Sequence, residues 1–367
     1  MISIRKTSKQ TGSVIIIVLW TSVLLTVLVT AMAGKVRLSA QTAAHNRDAS
    51  QDWAQLMATV NFAEMELMLE RMPAPIDQQL EESEEGEILT PAYRYDGEAL
   101  ALNYAAPENM VVRIYDHAGK INLNRIQRRN MQLLIEKLLG GEDADPEEVQ
   151  DLLAAWTDWT DLNDLEGLNG AEKDYYLELE QAYVPRNNPE LDTVEEILHV
   201  RGFAELLDGI NLDAAFTIYG NTRTVNLNVA TREAMRLLPG LDDELIETII
   251  AVRKLEDISN RAEIAEIVPF ENLQELTQWV GTNTSNIYSI FVYPKQESSG
   301  TALTGQASNI QEIDGAVAEP EDRVRQAYME IVEIRSGNAL PRIYKVDPYG
   351  MLPDTAKARV KEYGIEL

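Results

Sequence analysis

The chain opens with a short basic leader, MISIRKTSKQTG (Met1–Gly12), and an apolar run, SVIIIVLWTSVLLTVLVTAMA (Ser13–Ala33), follows it directly. The run carries no charged residue, and a helix of about 20 such residues crosses the ~30 Å hydrocarbon core of a bilayer. Arg5, Lys6 and Lys9 precede the run with no acidic residue among them. The positive-inside rule therefore places the N-terminus in the cytoplasm, and we predict that the rest of the chain is exported.

The boundary between the leader and the apolar run allows two kinds of processing. A secretory signal would be cleaved after Ala31-Met32-Ala33, which fits an A-x-A site, but its apolar core should span ~7–15 residues and this run is longer. Gly12 favours the other kind, because a small residue there allows a peptidase on the cytoplasmic face to cut between Gly12 and Ser13. The apolar run then stays attached as an N-terminal helix.

The leader, Gly12 and the apolar run resemble the class III signal of type IV pilins and type II secretion pseudopilins, in which cleavage follows the glycine. Most of these proteins carry a glutamate as the fifth residue after cleavage, but Ile17 stands at that position here. A membrane-buried acid costs several kcal/mol unless it pairs with a neighbour's terminal amine, and a subunit without the acid cannot neutralise that amine. Among pseudopilins this departure is a trait of the protein K (GspK) family of large minor pseudopilins.

The composition indicates an exported, acidic and mostly soluble ectodomain. Lys and Arg total 32 against 60 Asp and Glu, and the formal net charge is −28. Such a surface repels nucleic acid and anionic lipid headgroups, and it favours basic partners or divalent cations. The absence of cysteine excludes disulfides, thiolate metal sites and a cysteine nucleophile. A chain of 367 residues is long enough for two domains with separate cores.

Periodicity predicts the order of the structural elements. Apolar residues recur at spacings of three and four beyond the span, and no proline interrupts before Pro73, so we predict one helix from Ser13 to Met72. Strand-like tracts predict a sheet that begins at 99–104 and 110–115 and returns at 287–293 and 328–334. The predicted segments are a leader at 1–12, the transmembrane part of the helix at 13–34, helix and first strands at 35–124, an α-helical domain at 125–280, returning strands at 281–341 with a mobile loop at 296–322, and an extension at 342–367.

Two near copies of one tetrapeptide, Ile121–Asn124 and Val225–Asn228, open helical stretches. We predict that Asn124 and Asn228 cap the helices that follow them. The second copy continues into two short helices around a Leu-Pro-Gly turn, an arrangement that resembles the helix-hairpin-helix.

The hairpin raises the question of DNA binding, because its DNA-binding form presents backbone amides to a phosphate. Here Asp242 replaces the second glycine of the turn, and Asp243 and Glu244 follow it, so three carboxylates oppose a phosphate. We interpret the hairpin as a packing module. A membrane-anchored helix-hairpin-helix protein of the competence type remains the alternative function.

Several further segments are similar to the protein K family in their order and approximate spacing. They lie at 119–124, 155–161, 170–172, 174–176, 185–189, 193–197, 217–220 and 225–230. The resemblance implies an α+β, type IV pilin-like fold, in which a long N-terminal transmembrane helix packs on an antiparallel sheet. It also implies an inserted all-α domain with helix-hairpin-helix or SAM-like elements.

Acidic residues cluster after the helix that carries Trp156 and Trp159. The candidate metal ligands in this cluster are Asp158, Asp161, Asn163, Asp164, Glu172 and Asp174, with Glu166 beside them. Hard oxygen donors at short, loop-compatible spacing suit calcium, although the spacing is not that of an EF-hand. Helix caps and solvated acids are the alternative interpretation. The resemblance to protein K, whose members bind calcium in this domain, favours calcium as a bound ion.

The sequence offers little for catalysis, since His45, His117 and His199 lack metal-ligand spacing and no H-E-x-x-H, G-x-S-x-G or phosphate loop occurs. Three functions compete: an assembly subunit, a DNA receptor and an exported enzyme. The resemblance implies the first, a minor pseudopilin that caps the pseudopilus tip and helps to initiate its assembly for export of folded proteins across the outer membrane. It implies an inner-membrane protein with a periplasmic C-terminal domain. The implied partners are other minor pseudopilins, the major pseudopilin and prepilin peptidase, with no nucleic acid.

Overall fold

The computed structural model describes residues 12–72, 93–102, 107–179, 182–185, 188–295 and 326–353. Most of the predicted leader, the loop predicted at 296–322 and the end of the predicted extension, from 354 onward, therefore lie outside the described residues. The chain divides into two compact units, Met1–Met57 and Ala58–Leu367.

Helix α1 runs from Gly12 to Glu70, which confirms the long N-terminal helix predicted from the sequence. An 18-residue window within its part from Val14 onward has a mean hydropathy of 2.7, and none of that window is buried. Within the described part of the chain, α1 is one helix with the length and composition to cross a membrane. The window is apolar because the leucine, isoleucine and valine side chains of the run dominate it.

The second unit is built from nine described strands and further helices. The strands are β1 (Asp96–Leu100), β2 (Met110–Asp116), β3 (Ile121–Asn122), β4 (Phe216–Thr217), β5 (Val225–Asn226), β6 (Val280–Gly281), β7 (Ile287–Pro294), β8 (Gln326–Glu333) and β9 (Arg342–Met351). The helices are α2 (Arg128–Leu138), α3 (Pro146–Trp159), α4 (Lys173–Leu177), α5 (Phe203–Leu206), α6 (Leu212–Ala215), α7 (Arg232–Leu237), α8 (Asp243–Leu255), α9 (Arg261–Ile267) and α10 (Phe270–Leu276). Short 3-10 helices cover His117–Gly119, Gly141–Asp143 and Val194–His199.

Five strands form one antiparallel sheet in the order β1-β2-β7-β8-β9. The central strand, β7, has the sequence IYSIFVYP, and its β-branched and aromatic side chains suit a strand that is buried on both faces. Ile290 of β7 lies opposite Ile114 of β2 and Glu330 of β8. The sheet therefore brings together strands that are separated by about half of the chain.

The last turns of α1 pack on this sheet. Val60, Ala63 and Leu67 recur at spacings of three and four and are buried, as an amphipathic helix on a sheet requires. Arg71, just beyond the helix, donates to the Ser285 carbonyl at 2.7 Å and to the Tyr288 hydroxyl at 2.8 Å. A long N-terminal helix on an antiparallel sheet is the predicted pilin-like fold class, which is thereby confirmed.

The helical insertion lies between β2 and β7 and has its own hydrophobic core. Phe203 and Trp279 are among its largest fully buried side chains. Two parallel strand pairs, β3 with β4 and β5 with β6, join distant parts of the insertion. Because Ile121 of β3 pairs with Phe216 and belongs to this core, the insertion includes residues that lie before the boundary drawn at 125 from the sequence.

Strand β9 lies in a segment, 342–367, that the sequence predicts as an extension and not as a strand. Residues Arg342–Met351 form the fifth strand and pair antiparallel with β8. The pattern is hard to recognise because β9 is an edge strand: most of its side chains are at least partly exposed, and Pro348 lies within it.

The capping roles predicted for Asn124 and Asn228 are wrong. Turn residues follow β3 and β5, so α2 begins only after Gln127 and α7 begins after Thr231, whose side chain accepts from the Ala234 N–H. Both asparagines instead bind distant backbone. The Asn124 side chain accepts a hydrogen bond from the Leu191 N–H and donates one to the Leu191 carbonyl. Asn228 makes the same pair of hydrogen bonds with Ile258.

The two tetrapeptides are nevertheless structural equivalents. In each copy the first asparagine, Asn122 or Asn226, accepts from the N–H of the second asparagine. Each also donates its side-chain amide to two carbonyls beyond a parallel strand: Asn122 to Tyr219 and Gly220, and Asn226 to Thr282 and Asn283. The repeated sequence therefore forms the same hydrogen-bonded connection between remote segments of the insertion twice. We call each of these connections an asparagine clamp.

Candidate metal centre

The centre is built around Asp158, which lies in the last turn of α3 and is 4 % exposed. Helix α3 is well defined at its start, because Asp145 caps it and Pro146 occupies its first turn. One Asp158 oxygen accepts from the Gly167 N–H at 3.0 Å. The hydrogen bond brings the loop that follows α3 back over this carboxylate.

Two more carboxylates approach Asp158 from the two ends of that loop. Asp161 lies two residues after the end of α3, and its oxygens accept hydrogen bonds from the backbone N–H and the side-chain amide of Asn163 at 3.0 and 2.7 Å. Glu172 precedes α4 and is 5 % exposed. One oxygen from each of Asp158, Asp161 and Glu172 lies within 4.8 Å of the other two.

The Glu172 carboxylate is the clearest indication of a missing counter-charge. Both of its oxygens are buried, and neither has a hydrogen-bond partner among the described residues. Burial, followed by the carboxylates of Asp158 and Asp161, raises the pKa of Glu172 from 4.5 to about 7. A buried carboxylate without a partner is costly, and a cation among the three carboxylates would remove that cost.

The donor set fits a hard divalent cation. Calcium binds oxygens at 2.3–2.6 Å, so oxygens on opposite sides of one calcium ion lie about 5 Å apart, which the 4.8 Å group satisfies. No sulfur or imidazole takes part, so the set differs from the Cys and His ligands that are typical of structural zinc sites. Asp164 and Asp174, also predicted as ligands, lie outside this group of three. Asn163 directs its side-chain oxygen to the Leu165 N–H at 2.9 Å.

Glycines at 167 and 170 make room for the Asp158 carboxylate. A Cβ on Gly170 would collide with one Asp158 oxygen, and a Cβ on Gly167 would lie 2.9 Å from the other. The sequence analysis noted Gly170 as part of a motif similar to protein K but assigned it no role. The sequence signal for this packing is that Gly167 and Gly170 lie between two groups of acidic residues.

Arg201 holds the loop from outside and was not identified from the sequence. Its guanidinium donates to the carbonyls of Asn169, Gly170 and Asp151, and it lies over the Tyr175 ring at 5.4 Å. Because it comes from a segment about 30 residues away, no local pattern connects it to the acidic cluster. Its contacts fix the backbone just before Glu172.

The hairpin turn forms as expected, with Gly240 in the left-handed region at φ +77° and Asp242 capping α8. The Asp242 carboxylate accepts from the Leu245 N–H at 2.8 Å, at the position where a phosphate would bind. Lys137 donates to the carbonyls of Leu238 and Leu241, at 2.5 and 2.8 Å. These contacts tie the turn to α2 and fit the interpretation of the hairpin as a packing module.

The residues predicted for processing and assembly lie at the start of α1. Gly12 is the first residue of the helix, and Ser13 follows within it. Ile17 is also helical and is 61 % exposed. No acidic residue occurs in the first turn of α1.

Residues 119–207 match the family model described as type II secretion system (T2SS), protein K. The match includes all three clustered carboxylates, and it confirms the resemblance found in the sequence. No curated protein matches the chain. One similar solved structure is the crystal structure of the GspK-GspI-GspJ complex from the type 2 secretion system of enterotoxigenic Escherichia coli, with 11% sequence identity, coverage of 83% of this chain and 98% of that chain, and a TM-score of 0.46.

Proposed function

We propose that this chain is a minor pseudopilin of the type II secretion system that caps the tip of the pseudopilus and helps to initiate its assembly. The observation that carries this proposal is the protein K match at 119–207, which falls in a helical insertion between two strands of a pilin-like sheet. An apolar N-terminal helix precedes that sheet, as a membrane-anchored subunit requires.

The capping role follows from two features, Ile17 and the helical insertion, because each limits how further subunits can stack on this one in a filament. In a helical stack, each fifth-position acid would pair with a terminal amine of the next subunit, and Ile17 cannot form this pair. A subunit of this kind can still occupy one end. The insertion enlarges the head by more than 150 residues between β2 and β7, and such bulk obstructs docking of a further subunit. The free end is then the tip.

We further propose an inner-membrane location, with the N-terminus in the cytoplasm and residues beyond α1 in the periplasm. Prepilin peptidase would cut between Gly12 and Ser13 and leave the apolar segment attached. Other minor pseudopilins and the major pseudopilin would be the partners. The supporting observations are the basic leader, the small residue at Gly12 and the family match.

We also propose that calcium binds Asp158, Asp161 and Glu172. The ion would supply positive charge to a buried group of three carboxylates, and these residues would hold it through one or more oxygens each. Because Asp161 and Glu172 stand at opposite ends of the loop, their common contact with one ion would fix the loop on α3. The ion's role is structural, and we propose no catalytic activity and no nucleic-acid binding.

The location of the subunit can be tested by producing the full chain together with the major pseudopilin and labelling it with antibody. We expect label at one end of each filament and a stoichiometric complex with smaller minor pseudopilins that buries well above ~1,000 Å². Label along the whole filament, or filaments that lengthen with the dose of this chain, would overturn the capping role. Ile17→Glu should be expressed normally, since a neighbour's amine can neutralise the added acid.

A further inference from the structure

The loop between α3 and α4 exposes three leucines within seven residues. The exposed fractions are 76 % for Leu162, 78 % for Leu165 and 92 % for Leu168. We call these three side chains the leucine surface. A single exposed leucine is ordinary, but several large apolar side chains on one short loop are typical of a surface that binds a partner.

The backbone of this loop is held in place, so the exposure is a property of the fold. Gly167 donates to Asp158, and Gly170 donates to the Gly167 carbonyl at 3.0 Å. Asp161 and Asn163 each accept from the backbone N–H two residues further on, which forms two consecutive side-chain turns. These hydrogen bonds fix the backbone of the loop, and the three leucines lie on its exposed side.

Acidic side chains alternate with the leucines and determine which partner suits the surface. Asp164 and Glu166 are exposed between the leucines. A matching surface would therefore be apolar in the middle, with Lys or Arg at its rim. An anionic membrane would be repelled by the same carboxylates and by the net charge of −28. A second copy of this chain would bring like charges together.

We propose that the leucine surface is a docking site for a protein partner whose contacting surface is apolar and rimmed by basic side chains. This site goes beyond the capping role and does not depend on it, because it rests on exposure and charge within one loop. The three leucines supply the apolar area, and the carboxylates supply selectivity for the basic rim.

Selection from a random library of 12-residue peptides displayed on phage tests this proposal. Residues 58–367 form a compact unit with their own hydrophobic cores, so they can be used as a soluble fragment without the apolar part of α1. The fragment should select peptides that combine apolar residues with Lys or Arg. Changing Leu162, Leu165 and Leu168 together to Ser should weaken binding of these peptides at least tenfold, about 1.4 kcal/mol.

A matched control replaces three exposed apolar residues from separate segments of the chain, Leu255, Phe270 and Leu340, with Ser; their exposed fractions are 90, 74 and 89 %. This variant should bind the selected peptides as the unchanged fragment does. Circular dichroism and melting temperature should be the same for both variants, which separates lost docking from unfolding.

Four outcomes would overturn the proposal. They are selected peptides without basic residues, no selected peptides at all, equal losses in the two triple variants, and concentration-dependent dimers that the leucine variant abolishes. Sedimentation with vesicles of phosphatidylethanolamine and phosphatidylglycerol gives a fifth test. Binding to those vesicles that depends on the leucines would assign the surface to a membrane and overturn the proposal as well.

Discussion

An oxygen of Asp158, in the last turn of α3, lies within 4.8 Å of an oxygen of Glu172, at the far end of the loop that follows, and neither Glu172 oxygen has a hydrogen-bond partner among the described residues. Two acids so placed repel each other unless a proton or a cation lies between them. This relationship makes the stability of the fold depend on both calcium and pH. Calcium should stabilise the fold, and a rise in pH should destabilise it when no calcium is bound.

Calcium should raise the melting temperature of the soluble fragment 58–367. At a hundredfold excess over the dissociation constant, one site stabilises the fold by about 2.7 kcal/mol, or roughly 5–10 °C for a domain of this size. Magnesium should do less, because it gives up its water reluctantly and requires octahedral geometry. Glu172→Gln should weaken calcium binding and reduce the rise in melting temperature at the same calcium concentration, whereas Glu166→Gln, a change of an exposed acid in the same loop, should retain the full rise. Identical unfolding curves with calcium and with a chelator would contradict the site.

Without calcium, the fragment should lose stability as the pH rises through 7. Because the pKa of Glu172 is about 7 in the fold and 4.5 when exposed, its contribution is fully present below pH 4.5 and is lost as the pH rises through 7. The change is on the order of 1–3 kcal/mol. Calcium affinity should rise over the same range, since the proton competes with the ion.

Fluorescence of Trp156 and Trp159 can follow this calcium binding, because both residues are in the last turns of α3 beside Asp158. Titrations at pH 5.5 and pH 8 should differ at least tenfold in affinity. In Glu172→Gln the remaining affinity should depend little on pH. A dependence on pH that persists unchanged in this variant would assign the titrating group elsewhere.

Local patterns in the sequence are sufficient to predict α1, the central strands and the neighbourhood of the acidic centre. Helical spacing and β-branched runs depend on short stretches of chain, so they can be recognised without a partner. Asp158 and Asp161 are also close in sequence, so a local pattern is enough to group them. Glu172 lies further along the chain, with 10 residues between it and Asp161, so the sequence suggests it as a candidate but only the fold shows that it completes the group of three.

Long-range contacts could not be predicted in this way. Arg201 reaches the loop from α5's N-terminal side, and Asn124 binds Leu191, which is 67 residues away. An asparagine before a helix fits a cap equally well in sequence, and only the fold shows that its hydrogen bonds lie elsewhere. Strand β9 was missed because an exposed edge strand lacks the alternation of a half-buried one.

The asparagine clamps give a test of the structural repeat. Asn124→Ala removes a partly buried pair of hydrogen bonds to Leu191 and should lower the free energy of unfolding by about 1–3 kcal/mol. Asn228→Ala should have a similar effect, because it removes the equivalent pair to Ile258. Asn221→Ala, which removes one exposed hydrogen bond from Arg125, is the matched control and should change stability by about 0.5 kcal/mol or less. Urea unfolding measures all three, and equal values for the three would contradict the clamps.

A second pair of acids should weaken the packing of α1 on the sheet at high pH. Burial and the neighbouring Glu330 carboxylate raise the pKa of Glu64 from 4.5 to about 7. Since this pKa lies above the value for an exposed acid, the stabilising contribution is lost as the pH rises through 7. Glu64→Gln should therefore make the fragment more resistant to heat at pH 8, with little change at pH 5. Glu108→Gln, a change of an exposed acid in the turn before β2, should leave the pH profile unchanged.

Processing at Gly12 determines whether α1 keeps its apolar segment, and it can be tested on the full chain in a cell that contains prepilin peptidase. We expect the mature chain to begin at Ser13, because the small residue at the end of a basic leader permits cleavage on the cytoplasmic face. Gly12→Glu introduces a bulky charge at the cleavage point and should leave the leader attached, whereas Gly12→Ala, with a small side chain, should still permit cleavage. Mass spectrometry of the N-terminus distinguishes these products. A chain that begins at Gly34 would instead establish cleavage after Ala31-Met32-Ala33, and with it release of the protein from the membrane.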